Sequence, residues 1–287
     1  MQKIAVLGLG VMGAGMATNW LKKGFGVAVY NRTPAKAEAL ATAGARVAAT
    51  PREAAQDADM IIAMVADDEA SRAVWQVADG ALAGVKKGAI VVESSTLTPD
   101  WIHELAGLAK TKGADFLDAP VGGSRQAAAD GKLVLFVGGE KAVLEKARPA
   151  LEAVSTKINH LGPIGAGATW KLINNMIAAS HLAVLAEALT LARKANIDIA
   201  QAADMISVGA GASPIVTMKL PRMTGHRFGE PDFALKLMAK DMRYATALAK
   251  KLGANLTVVP TAAVLYERGE ARGLGELDFA AILDVVG

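Results

Sequence analysis

A chain of 287 residues exceeds one typical domain, and its 52% hydrophobic content supplies enough apolar surface for two buried cores. Lys and Arg total 31 against 28 Asp and Glu, and the charges are scattered, so no basic tract marks a nucleic-acid groove. Cysteine is absent, which excludes disulfides and cysteine-ligated zinc and suits a reducing, cytoplasmic setting.

The pattern enters a strand at residues 4–7, so no signal peptide is expected ahead of it. Further β-branched runs follow at 26–30, 46–48, 60–64, 90–93, 115–117 and 134–137. Helical patterns separate several of them, at 13–23, 34–43, 51–55, 68–75 and 99–112. Strands spaced by helices predict βαβ units and an α/β fold, a Rossmann doubly wound, mostly parallel sheet. The rhythm changes near Leu161-Gly162-Pro163, which divides the chain into a 1–162 nucleotide-binding domain and a 163–287 all-helical domain. There the first predicted helix runs from Gly167 to about Asn196, roughly 40 Å at 1.5 Å per residue. Its richest apolar stretch, 173–192, is interrupted by Asn174, Asn175, His181 and Glu187, and reads as a buried helix rather than a membrane span. Ile173, Met176, Ile177, Leu182, Leu185 and Leu189 give it more apolar surface than one small domain covers, so a homodimer or homotetramer is expected. Helices at 199–207, 213–219, 235–252, 260–268 and 278–285 complete the second domain.

Gly8-Leu9-Gly10-Val11-Met12-Gly13 directly follows the first strand and opens a helix, and the second strand ends ~20 residues on, as a dinucleotide fingerprint requires. The first glycine permits the tight turn, the second lets backbone approach a pyrophosphate, and the third lets helix and strand pack closely. The helix N-terminus then offers free N–H groups and the positive end of the dipole. An acidic residue after the second strand would bond the ribose 2′-hydroxyl of NAD; this chain has Asn31-Arg32-Thr33. Arg32 can pair with a 2′-phosphate while Asn31 and Thr33 offer neutral hydrogen bonds, so NADP(H) is the expected cofactor and NAD(H) the possible one.

By spacing alone Lys171, near the start of the long helix, reads as a solvated charge, with Asn175 one turn further on the same face. Four ordered motifs change that. They are Gly8–Asn19; Ser94-Ser95-Thr96-Leu97-Thr98-Pro99; Asp118-Ala119-Pro120-Val121-Gly122-Gly123-Ser124; and Gly167-Ala168-Thr169-Trp170-Lys171-Leu172-Ile173-Asn174-Asn175. Downstream lies Phe233-Ala234-Leu235-Lys236-Leu237-Met238-Ala239-Lys240-Asp241. Nearly end to end the chain resembles the 3-hydroxyacid (β-hydroxyacid) dehydrogenase family, which includes 3-hydroxyisobutyrate dehydrogenases and glyoxylate/succinic semialdehyde reductases. The resemblance implies that Lys171 is catalytic with Asn175 its partner, and that Thr96 sits by the nicotinamide end. It also implies that Lys240 reaches the cofactor and that the loop at Gly122, Gly123 and Ser124 takes a substrate carboxylate. Val65 and Ala66, after the fourth predicted strand, complete the candidate cofactor contacts.

Reducing an aldehyde leaves negative charge on oxygen, which an ammonium at Lys171 can polarise and protonate; in the oxidative direction the neutral amine accepts the proton. Asn175 can orient the lysine or the substrate hydroxyl. Amides at Gly122 and Gly123, with the Ser124 hydroxyl, can hold a carboxylate without adding charge. The chain departs from the family pattern at Gly122, where a Ser or Thr is expected, so a hydroxyl donor is lost or taken over by Ser124. Arg125 reads as a solvated loop arginine, with an anion contact as the alternative. His103, His160, His181 and His226 show no metal-ligand spacing, and Asp67, Asp68 and Glu69 read as a helix N-terminal cluster, so no metal is expected.

The expected activity is an NADPH-preferring reductase of small aldehyde or keto acids of the succinic semialdehyde or glyoxylate type, acting in reverse as a 3- or 4-hydroxyacid dehydrogenase. A small carboxylate-bearing substrate is implied, with no nucleic acid or membrane partner. The rivals are a 3-hydroxyisobutyrate-type dehydrogenase of valine breakdown and, from another class, a non-catalytic NADP-binding interaction module. A 6-phosphogluconate dehydrogenase implies a much longer helical domain, and an imine reductase implies a replacement at Lys171.

Overall fold

The computed structural model describes residues 3–287. By contacts it forms two compact units, Met1–Lys171 and Leu172–Gly287. The first holds strands β1 (Lys3–Leu7), β2 (Gly26–Tyr30), β3 (Arg46–Val47), β4 (Met60–Ala63), β5 (Ile90–Glu93), β6 (Asp115–Asp118), β7 (Val121–Gly122), β8 (Leu133–Gly139) and β9 (Ser155–Gly162). Its helices are α1 (Val11–Lys22), α2 (Glu38–Thr42), α3 (Pro51–Ala55), α4 (Asp68–Trp75), α5 (Pro99–Thr111), α6 (Arg125–Ala129) and α7 (Lys141–Glu152). The long helix α8 (Ala166–Lys194) starts in this unit and runs on through the second.

The sheet order is β3-β2-β1-β4-β5-β6-β8-β7, with β9 paired to β8. Strands β1 to β6 are parallel; β8 is antiparallel to β6 and β7, and parallel to β9. Side-chain alternation splits the apolar strand residues between two cores. Ile4, Val6, Val29, Ile62 and Val92 pack with Met16, Trp20 and Leu144. Ala5, Leu7, Ile61, Ala63 and Val91 pack with Trp75, Trp101 and Leu105 on the other face. Burial on both faces explains why β1, β4 and β5 are continuous apolar runs. The division between units falls later than the change of rhythm at 162 because the first turns of α8 belong to the sheet unit, where Ala168 is fully buried among the Trp75 and Trp101 group.

The sequence pattern does not predict four elements of the sheet unit, β7, α6, α7 and β9. In β9 the half-exposed Ser-Thr-Lys-Ile-Asn-His pattern hides the strand, and α7 carries Pro149 in its interior. The helix expected at 213–219 likewise runs longer than its sequence pattern, through Pro221 to Thr224.

In the second unit α8 is followed by α9 (Ile199–Val208), α10 (Pro214–Thr224), α11 (Leu235–Lys251), α12 (Val258–Ala271) and α13 (Leu283–Val286). Leu182, Leu185 and Leu189 of α8 pack with Leu220, Met238, Met242, Tyr266 and Phe279. The side chain of Lys219 is buried and pairs with Asp278 at 2.7 Å and Asp232 at 3.0 Å, tying α10 to the C-terminal segment. Removing one partner of such a buried pair typically costs about 3–5 kcal/mol. By length and composition α8 is long and apolar enough to cross a membrane. The core helix of a globular unit can be equally long and apolar, and Ala179, Leu182, Ala186 and Leu189 are core positions here.

Tyr266 donates from its hydroxyl to the Ala179 carbonyl at 3.0 Å, pinning α12 to α8. Burial, and secondarily the Asp278 charge, hold this phenol well above its ordinary value of 10.0. The folded chain therefore keeps a proton that the unfolded chain releases near 10, so stability falls as the pH rises above that value. Tyr266→Phe is expected to cost about 1 kcal/mol at pH 7 and to flatten the alkaline loss. Urea melts of both proteins at neutral and alkaline pH check this; parallel alkaline losses count against it.

Candidate functional site

Because β1, β2, β4, β5 and β6 run parallel, the segments after them all emerge at one edge of the sheet. Hydrogen bonds stitch those segments together. The Gly8 amide donates to the Tyr30 carbonyl at 2.9 Å, and the Leu9 amide donates to Asn31 Oδ1 at 2.9 Å. The Val65 amide donates to Ser95 Oγ at 2.8 Å, and Ser94 Oγ donates to the Ala119 carbonyl at 2.8 Å. Gly8, Asn31, Val65, Ala66 and Thr96 thus share one edge, as their positions after successive parallel strands dictate.

The glycine loop divides into packed and open positions. A Cβ on Gly8, whose φ is +98°, would lie 2.3 Å from the Met64 carbonyl oxygen, and one on Gly13 would lie 2.1 Å from that of Gly8. A Cβ on Gly10 would meet nothing within 4 Å, so close backbone approach by a ligand is open there. Gly10 is the N-cap of α1 and no side chain caps the helix, which leaves its leading N–H groups facing outward with the positive dipole end. These residues fit a dinucleotide pyrophosphate. Val11 is exposed, while Met12 packs against the core and Leu9 lies within it. Arg32 and Thr33 are exposed. The Asn31 carboxamide braces the loop: its Nδ2 donates to the Thr33 carbonyl at 2.9 Å while its Oδ1 accepts from the Leu9 amide.

Beneath this edge lies Glu93, fully buried, a residue to which sequence reasoning gave no role. It accepts from Ser71 Oγ at 2.7 Å, Trp75 Nε1 at 2.8 Å and the Ser95 amide at 3.0 Å. Ser71 Oγ accepts in turn from Trp101 Nε1 at 2.8 Å. Burial pushes the Glu93 carboxyl up, and the bonds from Ser95, Ser71 and Trp75 oppose that. Four side chains from three elements are thereby locked under the Ser95-Thr96 segment.

The start of α8 is built on Asp118, at the end of β6. Its buried carboxylate accepts from the Gly165 amide at 2.8 Å and the Ala168 amide at 2.8 Å. Burial raises this carboxyl and the backbone amides pull it back. A Cβ on Gly167 would lie 2.2 Å from the Phe136 carbonyl oxygen, so glycine is required for the helix to seat on the sheet. Lys171 follows within the first turns, half-buried, and Asn175 is buried one turn later.

The loop expected to take a carboxylate is partly committed to the fold. Val121 pairs with Leu135 and Gly122 with Val134. The Phe136 amide donates to the Pro120 carbonyl at 3.0 Å, and the alternation of an antiparallel ladder makes Gly122–Val134 a hydrogen-bonded pair. The Gly122 amide is therefore engaged in the sheet, which corrects its assignment as a free donor. A Cβ on Gly122 would lie 3.2 Å from the Phe136 ring, and that ring packs edge-on against Trp170 at 6.4 Å. Gly123 is exposed with φ +134°, and Ser124 is the N-cap of α6, accepting from the Ala127 amide at 3.3 Å.

In the second unit the candidates form a chain. Asn175 Nδ2 donates to Asp241 Oδ2 at 2.6 Å, and Lys240 Nζ lies 3.0 Å from Asp241 Oδ1 and 4.8 Å from the Tyr244 ring centre. Asn175 Oδ1 accepts from Asn174 at 3.1 Å. Asp241, next to Lys240 in the motif but unassigned by sequence, joins the two. Among the described residues no group of three or more His, Asp or Glu is arranged to hold a metal ion. Asp67 caps α4 by accepting from the Ala70 amide at 2.8 Å.

Residues 3–162 match the family model described as the NAD-binding domain of 6-phosphogluconate dehydrogenase. Residues 165–286 match that described as NAD-binding of NADP-dependent 3-hydroxyisobutyrate dehydrogenase. Glyoxylate/succinic semialdehyde reductase 1 of Arabidopsis thaliana is 34% identical over 284 residues, covering 99% of this chain and 98% of its own. The chloroplastic glyoxylate/succinic semialdehyde reductase 2 of the same plant is 35% identical over 283 residues, covering 99% and 79%. The solved structure of Mycobacterium tuberculosis 3-hydroxyisobutyrate dehydrogenase with L-serine is 32% identical, with a TM-score of 0.89 over 100% of this chain and 99% of that one.

Proposed function

Because the chain belongs to the 3-hydroxyacid dehydrogenase family, we propose that it is an NADPH-preferring reductase of small aldehyde and keto acids, of the succinic semialdehyde or glyoxylate type. In reverse it works as a 3- or 4-hydroxyacid dehydrogenase. It is an NAD(P)-dependent oxidoreductase acting on hydroxyl and aldehyde groups. The observation that carries the reading is the anchored start of α8, which fixes the backbone ahead of Lys171. A second reading, a 3-hydroxyisobutyrate-type dehydrogenase, is favoured by the likeness to the mycobacterial enzyme of that name.

Gly8 to Gly13 and the open N-terminus of α1 would hold the pyrophosphate, with Thr96, Val65, Ala66 and Lys240 the remaining candidate contacts. When bound, the nicotinamide supplies or accepts the hydride. The Lys171 ammonium polarises the substrate carbonyl oxygen and donates a proton to it, and Asn175, held by Asp241, orients that exchange. Gly123 and Ser124 keep the substrate carboxylate on neutral donors.

On a panel of succinic semialdehyde, glyoxylate and 3-hydroxyisobutyrate with both cofactors, the highest kcat/KM is expected for an aldehyde acid with NADPH. Arg32, exposed after β2, is the expected partner of the 2′-phosphate. Arg32→Asp should weaken NADPH relative to NADH on the order of 10- to 100-fold, the worth of a charge-assisted bond. A wild-type preference for NADH, or equal losses for both cofactors, removes the assignment.

Lys171→Ala should lower kcat by ~10²–10⁴-fold with NADPH affinity nearly intact, and Lys171→Arg should not restore it, since guanidinium stays protonated. The oxidative rate should rise with pH in the wild type and lose that rise in the alanine variant. Retention of most turnover by Lys171→Ala excludes the proton-transfer role.

We also propose a homodimer or homotetramer. Ile177, Val184 and Leu191 recur at heptad spacing on α8 and are 47%, 59% and 71% exposed, an apolar stripe that a second copy would cover. Light scattering at micromolar concentration is expected to give a multiple of the 29.6 kDa chain mass, and a monomer contradicts the proposal.

A further inference from the structure

The glycine-rich signature does not end at Gly13: the chain continues Ala14-Gly15-Met16-Ala17-Thr18-Asn19, and two of these later residues pack against α6. Gly15 is where α1 meets α6, since a Cβ there would lie 2.9 Å from both the carbonyl carbon and oxygen of Ala128. Asn19, one turn further, is only 8% exposed. Its Nδ2 donates to the carbonyls of Ala128 at 2.9 Å and Ala129 at 3.2 Å, as well as to Gly15 of its own helix at 2.9 Å. Ala128 and Ala129 are the last residues of the short α6, whose carbonyls have run out of helix to bond them. A five-residue helix has little stability of its own, so its orientation comes from what it docks on.

We infer that Gly15 and Asn19 are positioning residues for the substrate loop rather than parts of the cofactor site. The inference rests on the reading that Gly123 and Ser124 receive the substrate carboxylate. Ser124 is the N-cap of α6, so the end of the helix that Asn19 clamps sets where the other end presents its donors. The first turn of α1 serves the dinucleotide, and its second and third turns serve the carboxylate-bearing substrate. One rigid helix thereby holds both ligands in a fixed register, and a small misplacement of either is costly to the reaction.

The test uses Asn19→Asp, an isosteric change that turns the donor into a carboxylate facing three carbonyl oxygens, and Gly15→Ala, which favours α1 as a helix while pushing α6 away. For the full-length enzyme, NADPH affinity is measured by fluorescence titration, and KM is measured for succinic semialdehyde and for its uncharged analogue butanal. Amide exchange is followed in the cofactor-free protein. Both variants should raise KM for succinic semialdehyde by ~10-fold or more, leave KM for butanal and NADPH affinity unchanged, and speed exchange across 124–131 but not across 11–22. NADPH affinity falling in parallel with KM, or faster exchange with an unchanged KM, overturns the inference. A wild-type KM that does not distinguish succinic semialdehyde from butanal overturns instead the reading of the loop on which it rests. Should Asn19→Asp fail to fold, Gly15→Ala alone gives the same outcomes.

Discussion

Asp118 sits at the end of a central strand with its carboxylate shut away from water, and the amides that open the longest helix converge on it. An unpaired carboxylate in that position would be strongly disfavoured; amide donors and the positive end of α8 offset the lost hydration. The arrangement demands bare backbone around it. A Cβ on Gly138 would lie 2.4 Å from Asp118 Oδ1, and one on Gly167 would run into the Phe136 carbonyl. The bond network therefore fixes the translational register of α8 on the sheet, and Lys171 inherits that register through the turn that follows Ala168. A loop could not hold a lysine to the same tolerance.

A second buried carboxylate repeats the logic at the neighbouring strand. Glu93 gathers donors from α4, from the Ser95 segment and, through Ser71, from Trp101 of α5. Ser95 then accepts from the Val65 amide, which ties the segments after β4 and β5 together. Among the described residues neither carboxylate meets a cation; both are met by neutral N–H and O–H dipoles. Dipoles aimed by the fold stabilise the anion without importing a second charge into the ligand-facing edge.

Legibility in the sequence followed range. The parallel strands could be read because residues buried on both faces form unbroken apolar runs, and the glycine loop because its logic is confined to six consecutive residues. Strand β9 could not, since its mixed Lys, Asn and His pattern reflects a half-exposed partner of β8 rather than a core strand. Asp118, Asn19 and Asn175 lie within the sequence motifs and Glu93 lies just outside them, but the partners of all four are far along the chain. Asp118 meets Gly165, Asn19 meets Ala128, and Asn175 meets Asp241. Residue type announced polarity in each case and left the partner open. Asn31 shows the other side of the same limit: residue type marked it as a hydrogen-bonding group after β2 and did not reveal that its carboxamide also joins Leu9 to Thr33.

The bare backbone at Gly122 has a consequence for what the loop can carry. The Phe136 ring stands 3.2 Å from where a side chain at 122 would begin, and that ring packs edge-on against Trp170. A hydroxyl-bearing residue at 122 therefore needs the ring to give by a few tenths of an ångström. The room for an extra donor in this loop is set by two aromatic rings, one on β8 and one on the long helix, rather than by the loop itself.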